Sequence, residues 1–242
     1  MQIKDIAMLL ESNSYPGRGI ILGRSLDNEK AIISYFIMGR SENSRNRVFS
    51  RTDDGIRTEA HEPDKMTDPS LLIYHPVRRV EIDGDILHIV SNGDQTDTIK
   101  DYLLMGKTYN EALLTRTFEP DAPNYTPRIS GLLFPSGSYM LSILKTLGAP
   151  ADSCQRSFFN YAGPEPGTAH FIHTYSGDGD PLPSFVGEPA WVKLPTGNPD
   201  DMANAIWDAL DADNKVSLFV SEIDIASGKE TSAIIKNKNS GD

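Results

Sequence analysis

The chain has 242 residues, 23 Lys+Arg against 34 Asp+Glu for a net charge of −11, and 38% hydrophobic residues. That apolar content suits a folded core and is too high for disorder, and an acidic chain argues against nonspecific nucleic-acid binding, which draws on Lys and Arg against phosphates. No apolar run approaches the roughly 20 residues of a membrane span, Ile6-Ala7-Met8-Leu9-Leu10 is too short for a signal core, and the single cysteine, Cys154, excludes a disulfide framework and a multi-cysteine zinc site.

In chain order, Gly19–Gly23 and Ala31–Met38 read as paired strands with turn chemistry at Asp27-Asn28. Leu71–Tyr74, Val77–Ile82 and Ile86–Val90 continue the pattern, with Asp83-Gly84 as a hairpin turn. A helix is expected from Asp97 to Met105 on apolar Ile99, Leu103 and Leu104. Strands follow at Ile129–Phe134, Tyr139–Leu144, Phe158–Tyr161 and Ala169–Tyr175. Pro199–Leu210 is the clearest helix: Asn198 suits the N-cap, Pro199 the first position and Asp200 and Asp201 the N-terminal dipole, while Met202, Ile206, Ala209 and Leu210 form an apolar face. Val216–Ile225 and Thr231–Ile235 close the chain as a hairpin around Ser227-Gly228. Many antiparallel strands with few helices imply an α+β protein with two stacked sheets and helices outside.

The charge is uneven. Residues 18–57 carry seven Arg and one Lys against five acids, so this stretch is basic within an acidic chain. Arg presents a planar donor fork suited to phosphate or carboxylate, which points to a small anionic ligand; a solvated face of surface ion pairs is the plain alternative. Familiar motifs fail. Met105-Gly106-Lys107-Thr108 lacks the earlier glycine of a phosphate loop, having Asp101 there. Gly17-Arg18-Gly19 lacks the third dinucleotide-binding glycine, and no Gly-x-Ser-x-Gly occurs. Gly177-Asp178-Gly179-Asp180 has no downstream Glu for a calcium loop. His170 and His173 fall on opposite faces of a strand and have no third ligand beside them.

Three stretches hold more polar chemistry than packing requires. The first is Tyr15-Pro16-Gly17-Arg18 through Arg24, with Gly39-Arg40 and Ser44-Arg45-Asn46-Arg47; the second is Tyr74-His75-Pro76-Val77-Arg78 with Ser91-Asn92-Gly93-Asp94-Gln95-Thr96-Asp97; the third is Glu119-Pro120-Asp121 with Asn124-Tyr125-Thr126-Pro127-Arg128-Ile129-Ser130-Gly131. In type and order these resemble the archaeal-type inosine monophosphate (IMP) cyclohydrolase family. Thr174-Tyr175-Ser176-Gly177-Asp178 adds to the likeness, which runs from about Tyr15 to Phe219. A Phe-Pro expected before the Asn-Arg pair is replaced by Ser44-Arg45.

The resemblance implies a four-layer αββα sandwich like that of N-terminal-nucleophile hydrolases, one domain over residues 1–242, with 1–14 and 226–242 as peripheral extensions. It also implies closure of formamido-imidazole-carboxamide ribotide to IMP, with Arg47, Tyr74 and Glu119 catalytic. Arg47 would stabilise charge, Tyr74 would donate to the formyl oxygen or relay a proton, and Glu119 would take a proton or hold the other two in place. Arg18, Arg24, Arg40 and Arg128 are phosphate candidates; Asn92, Asp94, Gln95 and Thr126 are candidates for base and ribose. No cofactor and no metal are expected. The expected partner is a purine ribotide, not nucleic acid or a membrane, in a cytoplasmic protein; assembly into a homo-oligomer is left open. Two other readings stand beside this one. One is a noncatalytic purine-nucleotide-binding protein. The other is an amidohydrolase that exposes a nucleophile by cleavage at Gly137-Ser138 or Gly167-Thr168.

Overall fold

The computed structural model describes residues 2–148 and 153–240. In chain order the first half holds β1 (Lys4–Asp5), α1 (Ile6–Glu11), β2 (Arg18–Arg24), β3 (Lys30–Met38), α2 (Glu42–Arg45), β4 (Arg47–Thr52), β5 (Gly55–Ala60), β6 (Val77–Ile82), β7 (Asp85–Ser91), α3 (Gln95–Leu104) and α4 (Tyr109–Leu114). Then come β8 (Arg128–Leu133), β9 (Tyr139–Thr146), β10 (Cys154–Tyr161), β11 (Thr168–His173), β12 (Ala190–Lys193), α5 (Pro199–Ala209), β13 (Lys215–Asp224) and β14 (Glu230–Asn237). The strands form two seven-stranded sheets, ordered β1-β12-β11-β2-β3-β13-β14 and β10-β9-β8-β7-β6-β5-β4. Every strand pair is antiparallel except β1 with β12.

The near-continuous apolar runs of β2 and β3 require cover on both faces. Ile20, Leu22, Ile33, Tyr35 and Ile37 meet Phe49, Ile56, Val77, Val90, Ile129 and Leu141 of the second sheet. The alternate residues Ile21, Ile32, Phe36 and Met38 pack instead against Ile6 and Leu10 of α1 and Met202, Ala203 and Ile206 of α5. On the far side of the second sheet, Ile99, Leu103, Tyr109, Ala112 and Leu113 of α3 and α4 cover Val80, Leu87, Ile89, Leu132 and Leu144. The layers therefore run helix, sheet, sheet, helix, an α+β sandwich of two stacked, mostly antiparallel sheets.

Local signals worked where a side chain specifies a backbone state. Asp83 and Gly84 both have positive φ, 53° and 89°, the state that a two-residue I′ hairpin turn demands. Asn198 and Asp201 cap α5 reciprocally. The expected strand at Leu71–Tyr74 is irregular, because Thr58 takes its backbone groups: Thr58 Oγ1 donates to Leu72 O at 2.7 Å, and Tyr74 N donates to Thr58 Oγ1 at 2.9 Å. The strand expected to reach Tyr175 ends at His173, and Tyr175 makes an isolated bridge to Ser184.

The terminal segments expected as peripheral lie at opposite edges of the first sheet, yet they are packed into it. Ile6 and Leu10 are each only 1% exposed, and β14 pairs with β13 along its length. Leu10→Ala should therefore destabilise the protein by about 2–5 kcal/mol in denaturant unfolding, the usual cost of truncating a core leucine. A loss within about 0.5 kcal/mol, typical of surface positions, would show α1 to be dispensable.

Candidate functional site

The site forms where β2 begins and the loops after β3, α4 and β11 meet. Gly17 makes the approach possible. Its φ is +76°, and a Cβ there would fall 2.4 Å from Thr174 Oγ1 and 2.5 Å from the Tyr175 ring. With no side chain in the way, Thr174 Oγ1 accepts from Arg18 N and donates to Pro16 O, both at 3.1 Å. Tyr15 stacks on Tyr175 with ring centroids 6.0 Å apart, and the Arg40 guanidinium lies 5.3 Å over the Tyr15 ring. The result is a cleft of about 310 Å³ whose walls include Tyr15, Arg18, Arg40, Glu119, Thr126 and Tyr175.

Charge is buried beside this cleft. Arg47 is fully enclosed; its Nε donates to Ser44 O at 2.7 Å and its Nη2 to Met38 O at 3.3 Å, while Nη1 has no partner among the described residues. Burial, with Arg18 as a like charge, lowers its pKa. Arg18 is also buried with its Nε unpartnered among the described residues; burial pulls its pKa down, but Glu119 together with Tyr175, Tyr74 and Tyr15 outweighs that and keeps it above the ordinary value. Glu119 is 1% exposed with Oε1 unpartnered. Burial pushes its carboxyl up to about 7, against the pull of Arg18, Arg128 and Arg47. Tyr74 sits among the same groups, its hydroxyl 2.8 Å from that of Tyr35. Arg18 and Glu119 line the cleft directly; Arg47 and Tyr74 are not part of its wall, though Arg47 Nε is bonded to the carbonyl of the wall residue Ser44.

The remaining expected site residues divide. Arg40 is at the mouth, bound to Asp178 at 2.6 Å and to Gly179 O at 2.8 Å. Thr126 bonds both Asp121 and the Tyr175 hydroxyl. Asn92, Gln95, Asp94 and Arg128 instead satisfy one another. Arg128 Nη1 donates to Gln95 Oε1 at 2.6 Å and meets Asp94 Oδ1 at 2.8 Å; Gln95 Nε2 donates to Asn92 Oδ1 at 3.1 Å; Asn92 Nδ2 donates to Pro127 O at 2.9 Å. This network braces the loop under Glu119. A Cβ on Gly93 would fall 2.4 Å from Arg128 Nη1 and 3.5 Å from Glu119 Oε1. Arg24 is not in the site. It lies six residues along β2 from Arg18, about 20 Å at strand rise, and its guanidinium donates to Asn28 Oδ1 and Ser136 O.

The basic stretch 18–57 therefore does not act as one patch, since Arg51 pairs with Glu230 and Arg57 with Glu59. Sequence reasoning assigned no role to Tyr35, Tyr175 or Asp121. Tyr35 had a readable signal: it interrupts the aliphatic inner face of β3, between Ile33 and Ile37, with a polar tip. Among the described residues no group of three or more His, Cys, Asp or Glu side chains is arranged to hold a metal ion, and no helix is long and apolar enough to cross a membrane.

Layering and cleft together define a four-layer α+β protein with an aromatic-walled site of mixed charge. The chain belongs to the IMP cyclohydrolase-like protein family, which it matches over residues 15–229. It is 33% identical over 130 residues to the IMP cyclohydrolase of Methanococcus maripaludis strain C7 and 32% identical over 131 residues to that of strain C6. Each match covers 52% of this chain and 61% of the relative. Among solved structures it aligns with the Anbu (Gly-1) mutant from Hyphomicrobium sp. strain MC1 at TM-score 0.40 and 11% identity, over 92% of this chain and 89% of that one.

Glu119 generates a stability prediction. Its folded pKa of about 7 lies above the ordinary 4.5, so between these values the folded state holds more protons than the unfolded one and stability falls as pH rises. Glu119→Gln removes that fall. Its melting temperature relative to the wild type should climb between about pH 5 and pH 8; a difference that does not change with pH would show that Glu119 is not a buried, protonatable carboxyl.

Proposed function

We propose that this chain closes formamido-imidazole-carboxamide ribotide to IMP. One observation carries the reading: among the described residues, Arg18 Nε and Glu119 Oε1 are buried without partners in the wall of one cleft, and Arg47 Nη1, within electrostatic reach of both, is likewise unpartnered. Buried polar groups are nearly always bonded, so a cluster of exceptions calls for a polar ligand. Family membership supplies the candidate.

In the closure the carboxamide nitrogen attacks the formyl carbon and water is lost. The water takes the formyl oxygen, one hydrogen from the carboxamide nitrogen and one from the formamido nitrogen. No oxidation state changes. Because both reacting groups belong to one molecule, holding it folded supplies much of the acceleration. In this reading the aromatic walls of Tyr15 and Tyr175 hold the ring system and Arg40 meets the phosphate at the mouth. Glu119, as carboxylate, takes the proton of the attacking nitrogen, Tyr74 donates to the formyl oxygen, and Arg47 offsets the charge that grows there.

The amidohydrolase reading brings neither of its two expected nucleophiles to this cleft. Ser138 is held in the β8–β9 turn, where its carbonyl accepts from Phe134 N, and Thr168 Oγ1 donates to Glu165 O. Neither side chain is part of the cleft wall. A binding protein without turnover is separated by assay.

The test is IMP formation from the formylated ribotide. Arg47→Ala should lower kcat by about 100- to 1000-fold, the usual worth of one transition-state donor, and weaken IMP binding far less. Full turnover with weakened binding would make Arg47 an anchor only. Arg40→Ala should raise KM and leave kcat nearly intact, and added salt should weaken wild-type IMP binding. With Glu119 as base, kcat/KM should rise with pH and level off above about 7; a rate that falls through that range would assign Glu119 as the acid.

A further inference from the structure

Tyr35 is fully buried on β3, on the inter-sheet face it shares with Ile33 and Ile37. A phenol there costs stability unless its hydroxyl is bonded. Among the described residues the Tyr74 hydroxyl, at 2.8 Å, is the one partner of the Tyr35 hydroxyl, while the Tyr35 ring stacks on Phe49 with centroids 5.8 Å apart. The charged groups facing the pair are Arg18 of β2 and Arg47 of β4. Two hydroxyls bring two hydrogens, and one is used between them. Guanidinium groups only donate, so neither Arg can accept the other hydrogen. One hydrogen is thus left without an acceptor among these neighbours. Tyr35 is the more enclosed of the two, at 0% exposure against 6% for Tyr74, and the Tyr74 oxygen is the one acceptor its hydrogen reaches among the described residues, so Tyr35 donates. The spare hydrogen accordingly belongs to Tyr74.

We infer that Tyr35 is a positioning residue for the ring closure proposed above, on which this role rests: it donates to the Tyr74 oxygen and so commits the Tyr74 hydrogen to the formyl oxygen of the bound ribotide. As the new C–N bond forms, the formyl C=O π pair moves onto oxygen and meets that hydrogen bond. The proton of the attacking nitrogen goes to Glu119. Glu119 then returns that proton to the formyl oxygen, the formamido nitrogen gives up its own, and water leaves as the C–O bond breaks, so Glu119 and both tyrosines end as they began.

The test is a double-mutant cycle of Tyr35→Phe, Tyr74→Phe and both together, read as kcat, KM and IMP affinity. Tyr35→Phe keeps the ring and its packing, and retained IMP affinity reports that the variant is folded. It should lower kcat about tenfold, the effect of one hydrogen bond, leave KM and IMP affinity within about twofold, and cost nothing further once Tyr74 is Phe. A purely structural role would lower kcat equally in both backgrounds, and that additivity would overturn the inference, as would full turnover by Tyr35→Phe. A wild-type protein that forms no IMP would remove the reaction and this role with it; an active wild type with an insensitive Tyr35→Phe would remove this role alone.

Discussion

Two guanidinium groups and a carboxyl are kept out of water between the sheets, and much of the surrounding structure answers to that constraint. Unpaired charge in a low-dielectric interior is costly, so each member needs compensation that does not saturate it. Arg47 is tied at two nitrogens to the carbonyls of Ser44 and Met38 and left open at the third. Glu119 is held by electrostatic neighbours without a direct ion pair, Arg18 foremost, and its Oε1 stays bare. Burial raises the Glu119 pKa while the arginines restrain it, which leaves the carboxyl poised near neutrality.

The scaffold around these groups is satisfied. Asn92, Gln95, Asp94 and Arg128 bond one another and the backbone of the 127–129 segment, and they lock the turn that leads into α3 against β8. Their closure separates a support from a site: the same residue types occur in both, but Arg18, Arg47 and Glu119 keep open valences that the network residues do not. A site held in this way stays in register because its second layer has no reason to rearrange.

That distinction also marks how far the sequence could be read. The hairpin at Asp83-Gly84, the cap at Asn198 and the double-sided apolar runs of β2 and β3 were legible because each is a local rule with a local cause. The stretches carrying Arg18, Arg47, Tyr74 and Glu119 could be picked out as polar loops at strand ends, and those four residues do come together. What could not be read was which polar residue turns to which partner. Arg24 and Arg18 look alike on one strand, yet six residues of extended chain send them to different ends of the sheet. Leu71–Tyr74 has strand-like composition, and a single distant hydroxyl, that of Thr58, diverts its backbone. Tyr35 looked like core because it is core; only its hydroxyl, bonded to that of Tyr74, goes beyond packing.

The Arg40–Asp178 contact at the mouth has one more consequence. An anion arriving at Arg40 does not meet a bare cation; it meets one already neutralised by a carboxylate. Entry is therefore an exchange of counterions, and its free energy is the difference between two ion pairs rather than the gain of one. A singly charged visitor replaces like with like and gains little. A doubly charged one gains more, because it offers Arg40 a stronger partner than the carboxylate it displaces. If the proposed ribotide enters here, Asp178 is the carboxylate that its phosphate must displace before it reaches the tyrosines and the glutamate within.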